Sequence, residues 1–312
     1  MQIKKTFYDL LKKAASDHVS DIYILPNQEG FQVLTYATNG LNKIGQLDGD
    51  CGEAIIRHIK FSACMDISEI RRPQLGRWHY LLNEQSLYLR ISSVADFLNR
   101  ESVVIRLIYD MEDNGLQWRP ANKMTELGHL LECQQGLILL AGQMGSGKTT
   151  TMYHAASKYL HNKMVLTIED PVELVAPHFL QLQVNDAANM SYEQLLKLAL
   201  RHHPDVMIIG EIRDAATAQI VAQAALSGHL ILSTVHAMSI TGIWYRLRSF
   251  GISADILRQI LVGLGYQKMN YQSTASYVQL EITSGNKMDK LLVELKNEEK
   301  SHVAAQKASG IF

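Results

Sequence analysis

The sequence predicts an α/β protein in two parts: a smaller mixed α/β segment, then a parallel sheet flanked by helices. Three observations carry that expectation. From about Lys123, short continuous apolar runs alternate with helical stretches, the pattern of strands buried on both faces. Gly142-Gln143-Met144-Gly145-Ser146-Gly147-Lys148-Thr149 fits the phosphate-binding spacing G-x-x-x-x-G-K-[ST] between such a run and a helix. Before residue 109, strand-like and helix-like periodicities mix, separated by turn-rich clusters.

Taken in order, Phe7, Leu10, Leu11 and Ala14 recur at helical spacing and predict an opening helix that stops near Asp17. Ile22–Leu25 and Phe31–Tyr36 read as strands joined through Pro26-Asn27-Gln28-Glu29-Gly30. A helix over Gly52–Ile59 follows, then strands near Arg77–Leu82, Leu87–Ser92 and Ser102–Ile108. These make an N-terminal α/β domain over 1–108. Tyr109–Asn122, rich in Asp, Asn, Gly and Pro, reads as a linker to a second domain over 123–312. There the expected strands are Leu137–Ala141, Met164–Ile168, Val206–Ile209 and Leu230–Thr234. Helices over Lys148–Leu160, Tyr192–His202 and Ala215–Leu226 separate them. The tail beyond Lys268 is polar, with a strand candidate at Tyr277–Ile282 and a helix candidate at Met288–Leu295.

In the strand–loop–helix setting, Gly142, Gly145 and Gly147 let backbone N–H groups turn inward around phosphate oxygens, together with Ser146 and Thr150. The helix N-terminus adds its dipole, Lys148 reaches the β/γ-phosphates, and Thr149 can hold Mg²⁺. The competing reading is an ordinary glycine-rich turn. Such a loop needs acidic groups at the carboxyl ends of the strands, where ligands of open parallel sheets bind. Glu169-Asp170-Pro171-Val172-Glu173 follows the second strand, and Gly210-Glu211 follows Val206-Met207-Ile208-Ile209. Glycine at 210 leaves Glu211 as the metal-side carboxylate. A helix cap or a surface carboxylate is the alternative for each glutamate. His229 and His236 flank the fourth strand and need not face the same way. An inserted arginine can be worth ~10³–10⁵ in phosphoryl-transfer rate. The candidates are Arg71, Arg72, Arg77, Arg90 and Arg106, with Arg201 and Arg213 beside the third strand.

Composition narrows the classes. With 312 residues, 47% apolar and 20% charged, the chain is expected to fold as a globular protein of about two domains. A formal charge of −1 gives no global basic field, so no direct nucleic-acid partner is expected. Cys51, Cys64 and Cys133 are dispersed, which argues against a zinc site or a disulfide framework. Met1-Gln2-Ile3-Lys4-Lys5 has no apolar core behind it and does not read as a signal peptide. No run approaches the ~18 apolar residues of a membrane span, so any membrane role is expected to pass through a partner.

The segment from Leu200 to Asp214 (LRHHPDVMIIGEIRD) resembles the signature of the secretion ATPases, the superfamily of type II secretion and type IV pilus motors. Gly145–Thr151 resembles its Walker A, Glu169–Glu173 its Asp box and Ser227–His236 its His box. Ser20–Ile24, Ile67–Arg77 and Leu89–Ser92 resemble strands of its N-terminal domain, so the likeness spans residues 15–285. It implies a small PAS-like α/β domain followed by a RecA-like P-loop ATPase domain. It also implies homo-hexameric rings that hold ATP between the domains, at the cytoplasmic face of the membrane, against a polytopic inner-membrane platform protein. Residue by residue, it implies that Lys148 and Thr149 bind phosphate and Mg²⁺, and that Glu169 polarises the attacking water. Glu211 would hold Mg²⁺ through water, His236 would sense the γ-phosphate, and Arg90 and Arg106, with Arg77 less closely matched, would reach the phosphates.

Departures from the family pattern are visible. Gln143-Met144 replaces Pro-Thr in the loop, Tyr23 replaces a common His, and Lys197 stands where many members place Arg, keeping charge but losing the bidentate fork. A tetracysteine zinc element and a long platform-docking N-terminal domain are not seen, which is most similar to the competence-pilus branch used in DNA uptake. A retraction or conjugation-type motor is the alternative within the superfamily, and a nucleotide-set ring scaffold that does not hydrolyse is the alternative outside it. Retention of both Glu169 and Glu211 favours hydrolysis.

Overall fold

The structure is a computed structural model that describes residues 2–37, 40–83, 85–108, 116–185, 188–270 and 277–308. Two compact units emerge, Met1–Asp113 and Asn114–Phe312.

In the first unit, helix α1 (Gln2–Ser16) opens the chain, followed by strands β1 (Asp21–Asn27), β2 (Gly30–Ala37) and β3 (Gly40–Leu47). Helix α2 (Gly49–Ser62) precedes β4 (Gln74–Leu82), β5 (Gln85–Ala95) and β6 (Glu101–Ile108). The Asp48 carboxylate caps α2 by accepting from the Cys51 N–H at 2.7 Å. The strands form one antiparallel sheet in the order β3-β2-β1-β6-β5-β4. This is the small α/β domain expected, with the edge strand β3 added. Its apolar face, including Ile22, Ile24, Leu89, Ile91, Val103 and Ile105, packs with Phe7 and Leu11 of α1 and Ile55, Ile56 and Ile59 of α2. Fully buried Lys60 is paired with Glu101 at 2.6 Å, so its charge stays compensated.

The second unit begins with β7 (Gln117–Arg119) and α3 (Asn122–Leu130). The segment read as a linker thus supplies a strand to the sheet of this unit, because β7 pairs with β14 (Tyr277–Ser284). The first part of that segment, 109–115, lies outside the described residues. Next come β8 (Gly136–Gly142), α4 (Lys148–Tyr159), β9 (Val165–Glu169), β10 (Leu180–Gln183) and α5 (Tyr192–Ala199). The chain continues through β11 (Val206–Ile209), α6 (Ala215–Leu226), β12 (Leu230–Val235), α7 (Ile240–Ser249) and α8 (Ala254–Ile260). Strand β13 (Leu261–Asn270), β14 and helix α9 (Gly285–Ala308) close it.

The sheet order is β10-β9-β11-β12-β8-β13-β14-β7, parallel apart from the β13–β14 pair. Strand β12 lies between β8 and β11, the RecA-like arrangement in which the P-loop strand and the acidic strand are separated by one strand. Every residue of β8, β9, β11 and β12 is buried, as a sheet covered on both faces requires. Gly263 and Gly265 let β13 fit: a Cβ there would lie 2.5 Å from Leu130 Cδ1 and 2.4 Å from Leu140 Cδ2, respectively.

Candidate nucleotide site

Strand β8 delivers Gly142 to the carboxyl edge of the sheet, and residues 143–147 loop back into α4. Gly145 and Gly147 have φ of +73° and +80°, the left-handed region that a side chain makes costly. Gly142 answers to space as well: a Cβ on it would lie 2.3 Å from the Gln267 carbonyl oxygen on β13. No side chain caps α4, so its first-turn N–H groups and its dipole stay directed at the loop. Thr149 and Thr150 are half-buried in that turn.

Lys148 Nζ donates to the carbonyls of Gly142 and Gln143, both at 3.0 Å. Burial pushes its pKa down, opposed by the negative charges of Glu211 and Glu173. Ser146 is buried, and its Oγ has no hydrogen-bond partner among the described residues. Gln267 Nε2 donates to the Ser146 carbonyl and so ties the loop to β13. The glycine conformations, the ammonium group and the orphaned Ser146 hydroxyl all suit a ligand rich in acceptor oxygens, which is the chemistry of a polyphosphate.

The acidic edge is built from β11 and β12. Gly210 N–H donates to the Ile168 carbonyl at 2.9 Å, and Thr234 Oγ1 donates to the Gly210 carbonyl at 2.8 Å. Ile212 N–H donates to the Thr234 carbonyl at 2.9 Å, which fixes Glu211 between its neighbours. The Glu211 carboxylate accepts from Arg213, and its Oε2 lies 3.1 Å from His236 Nε2. Arg213 also approaches Asp170 at 4.0 Å. Glu211 and His236, expected from the sequence, are therefore brought together. His229 is not: it sits at the opposite end of β12, with Nδ1 3.2 Å from the Ala224 carbonyl.

Glu169 departs from expectation. It ends β9, but only 2% of it is exposed, and its carboxylate turns into the core. Oε1 accepts from Tyr153 Oη and, at 2.7 Å, from Thr167 Oγ1. Burial pushes its pKa up, outweighing the hydrogen bonds that favour the charged form. A carboxylate so enclosed is not presented to an attacking water. The reason is strand alternation: Glu169 shares a sheet face with Thr167, under α4. Gly210 fits the same spot, since a Cβ there would lie 3.4 Å from Glu169 Cγ.

In the first unit, strand register aligns the expected arginines. Arg77 is opposite Arg90 on β4–β5, Arg90 is opposite Arg106 on β5–β6, and Arg106 is opposite Asp21 on β6–β1. Arg106 Nε donates to Asp21 Oδ1 at 2.8 Å. The row lies on the face turned away from the apolar core, and like charges directly opposite one another cost stability.

The profile of the type II/IV secretion system protein family matches residues 1–309. This chain belongs to that family. Competence protein ComGA of Streptococcus pneumoniae is 39% identical over 267 residues, covering 86% of this chain and 84% of the relative. ComGA of Bacillus subtilis is 36% identical over 272 residues, covering 86% and 76%. Among solved structures, the Legionella pneumophila ATPase DotB superposes with a TM-score of 0.74 at 20% identity, covering 93% of this chain and 84% of that one. The pilus retraction motor PilT with bound ADP gives 0.69 at 21% identity, covering 96% and 89%. These two show that the secretion-ATPase fold is shared.

For this member of the type II/IV secretion family, sequence reasoning missed Gln267 and Tyr153. A fully buried glutamine in a strand and a tyrosine inside a helix become informative only once their partners are known. Lys197 is exposed and pairs with Glu193 at 2.6 Å, one helical turn away.

Proposed function

We propose that this chain is an ATP-hydrolysing motor that powers assembly of a type IV-like competence pilus for DNA uptake. The single observation that carries hydrolysis is the convergence of the P-loop with Glu211, His236 and Arg213 at one sheet edge. The motor assignment within the family rests on the ComGA relatives, at 36–39% identity over most of the chain.

In this reading the N–H groups of residues 143–149 and the Lys148 ammonium bind the β- and γ-phosphates. Thr149 and Glu211 are the residues that would hold Mg²⁺, Glu211 through water, and the ion would supply charge neutralisation at the phosphate oxygens. Glu211, with its carboxylate at the strand edge and not in the core, takes over the orientation of the attacking water from Glu169. His236, 3.1 Å from Glu211, reports the γ-phosphate to β12. The guanidinium row of Arg77, Arg90 and Arg106 supplies forks suited to phosphate oxygens. The working unit is a homo-hexamer, peripheral at the cytoplasmic face of the membrane, acting on a polytopic platform protein. No direct nucleic-acid contact is involved.

Glu211→Gln tests this reading. The variant is expected to bind a fluorescent ATP analogue within about threefold of wild type and to lose hydrolysis by ~10²-fold or more, as removal of a transition-state group does. Wild-type turnover in Glu211→Gln would overturn the assignment. Tight nucleotide binding without hydrolysis in the wild type would favour a ring scaffold.

A further inference from the structure

We infer that Tyr153 and Gln181 are positioning residues: with Glu169 they form a buried lock that holds the segment 170–179, and Glu173 within it, in register with Lys148. The inference rests on the ATPase reading above and adds residues to it.

Tyr153 lies on α4, the helix that begins at Lys148, and is completely buried. Its hydroxyl is a junction. It donates to Glu169 Oε1 and accepts from Gln181 Nε2 at 3.0 Å. Gln181, on β10, is itself fixed at both ends of its amide. Nε2 also donates to the Leu174 carbonyl at 2.8 Å, and Oε1 accepts from the Ala176 N–H at 2.9 Å. Glu169 accepts from Thr167 Oγ1 at 2.7 Å. The Glu169 carbonyl accepts from the Val184 N–H at 2.9 Å. The segment between β9 and β10 is thus gripped at 174 and 176, on either side of Val175, and each grip leads back through Gln181 to the Tyr153 hydroxyl.

A merely structural connection would not need a carboxylate. Burying one is costly unless it is fully hydrogen-bonded, and an apolar contact would join β9 to α4 more cheaply. What the network adds is direction. It joins the segment that carries Glu173 to α4, the helix that begins at Lys148, the residue assigned to the phosphates. The phosphate-binding helix and the acidic segment therefore share one set of buried hydrogen bonds, and misplacement of a catalytic group by even ~1 Å can cost about 10²-fold in rate.

The test uses the full chain and two variants that cut different edges of the lock, Tyr153→Phe and Gln181→Leu. Phenylalanine keeps the ring against Phe179, 5.5 Å between centroids, and removes only the hydroxyl. Two readouts are taken: amide hydrogen exchange across 170–179, and kcat and KM for ATP. Each variant should speed exchange in 170–179 by about tenfold, the order of what one buried hydrogen bond is worth. Each should lower kcat about as much while KM stays within about twofold, the mark of a lost transition-state interaction. The double variant should be no worse than the more damaging single one, because both cuts open the same lock. Unchanged exchange, or unchanged kcat with faster exchange, would overturn the inference. If the wild type itself hydrolysed no ATP, the ATPase reading would fall, and the exchange comparison would still decide whether the lock exists.

Discussion

Replacing Gly142 and Gly145 by alanine, one at a time, separates backbone strain from steric exclusion in the phosphate loop. At Gly145 an added Cβ meets nothing within 4 Å, so the cost is conformational alone, at φ +73°. A left-handed alanine costs about 1–2 kcal/mol, offset by about 0.4–1 kcal/mol from the stiffer unfolded chain. The net is about 0–1.5 kcal/mol. At Gly142 the Cβ would lie 2.3 Å from the Gln267 carbonyl oxygen and 2.8 Å from Ser146 Oγ. The first of these belongs to the backbone of a paired strand and cannot rotate away. Overpacking of this kind adds about 1–3 kcal/mol to the conformational term. For a unit of this size each 1 kcal/mol shifts Tm by about 2–4 °C. Gly145→Ala is therefore expected to lower Tm by ~0–6 °C and Gly142→Ala by ~2–18 °C, the second always the larger. Scanning calorimetry of both purified variants beside wild type measures this. A Gly142→Ala protein as stable as wild type, or more stable than Gly145→Ala, would refute the close approach of β8 to β13 at the loop.

Other outcomes follow from the same geometry. Gln267→Leu removes the donor to the Ser146 carbonyl and should cost about 1–3 kcal/mol, read as a lower Tm and as weaker binding of a fluorescent ATP analogue. Arg90→Ala and Arg106→Ala should each lower ATP turnover by ~10³-fold or more if their guanidinium groups serve the γ-phosphate, and Arg→Lys at either position should restore only a minor part. Steady-state rates at saturating ATP decide it, and wild-type turnover in both alanine variants would remove the row from the reaction. The Glu169 pKa is raised in the folded chain, so the native state retains a proton that the unfolded chain releases. Its contribution to stability therefore falls as pH rises from the ordinary carboxylate range through the raised value, and is constant above it. Subtracting the urea stability of Glu169→Gln from that of wild type at each pH isolates this. A difference that grows with pH would contradict the burial of the group.

Much of this arrangement was legible because it rests on local signals. The buried strands β8, β9, β11 and β12 are predominantly apolar, and the glycine spacing at 142–147 is a local pattern. Glu211 and His236 follow strands whose carboxyl ends must share an edge, so their meeting was foreseeable. The side to which a strand-end residue points was not. Glu169 looked outward by position but shares the face of Thr167 and is drawn into the core. Strand β13 was not expected: Gly263 and Gly265 interrupt its apolar pattern, and in the fold they serve close contact with Leu130 and Leu140. Strand β3 is a polar edge with weak alternation, and β7 pairs with a strand more than a hundred positions away in sequence. The arginine row lies on three strands, and only their pairing aligns it.

The most direct test of the central claim is the Mg²⁺-dependent ATPase rate per subunit against protein concentration, for wild type and Lys148→Ala side by side. The account predicts a wild-type rate that climbs with concentration and levels off as rings form, and no hydrolysis by Lys148→Ala at any concentration despite an intact fold by circular dichroism. A rate that survives the loss of Lys148, or a wild type inactive at every concentration, would contradict it.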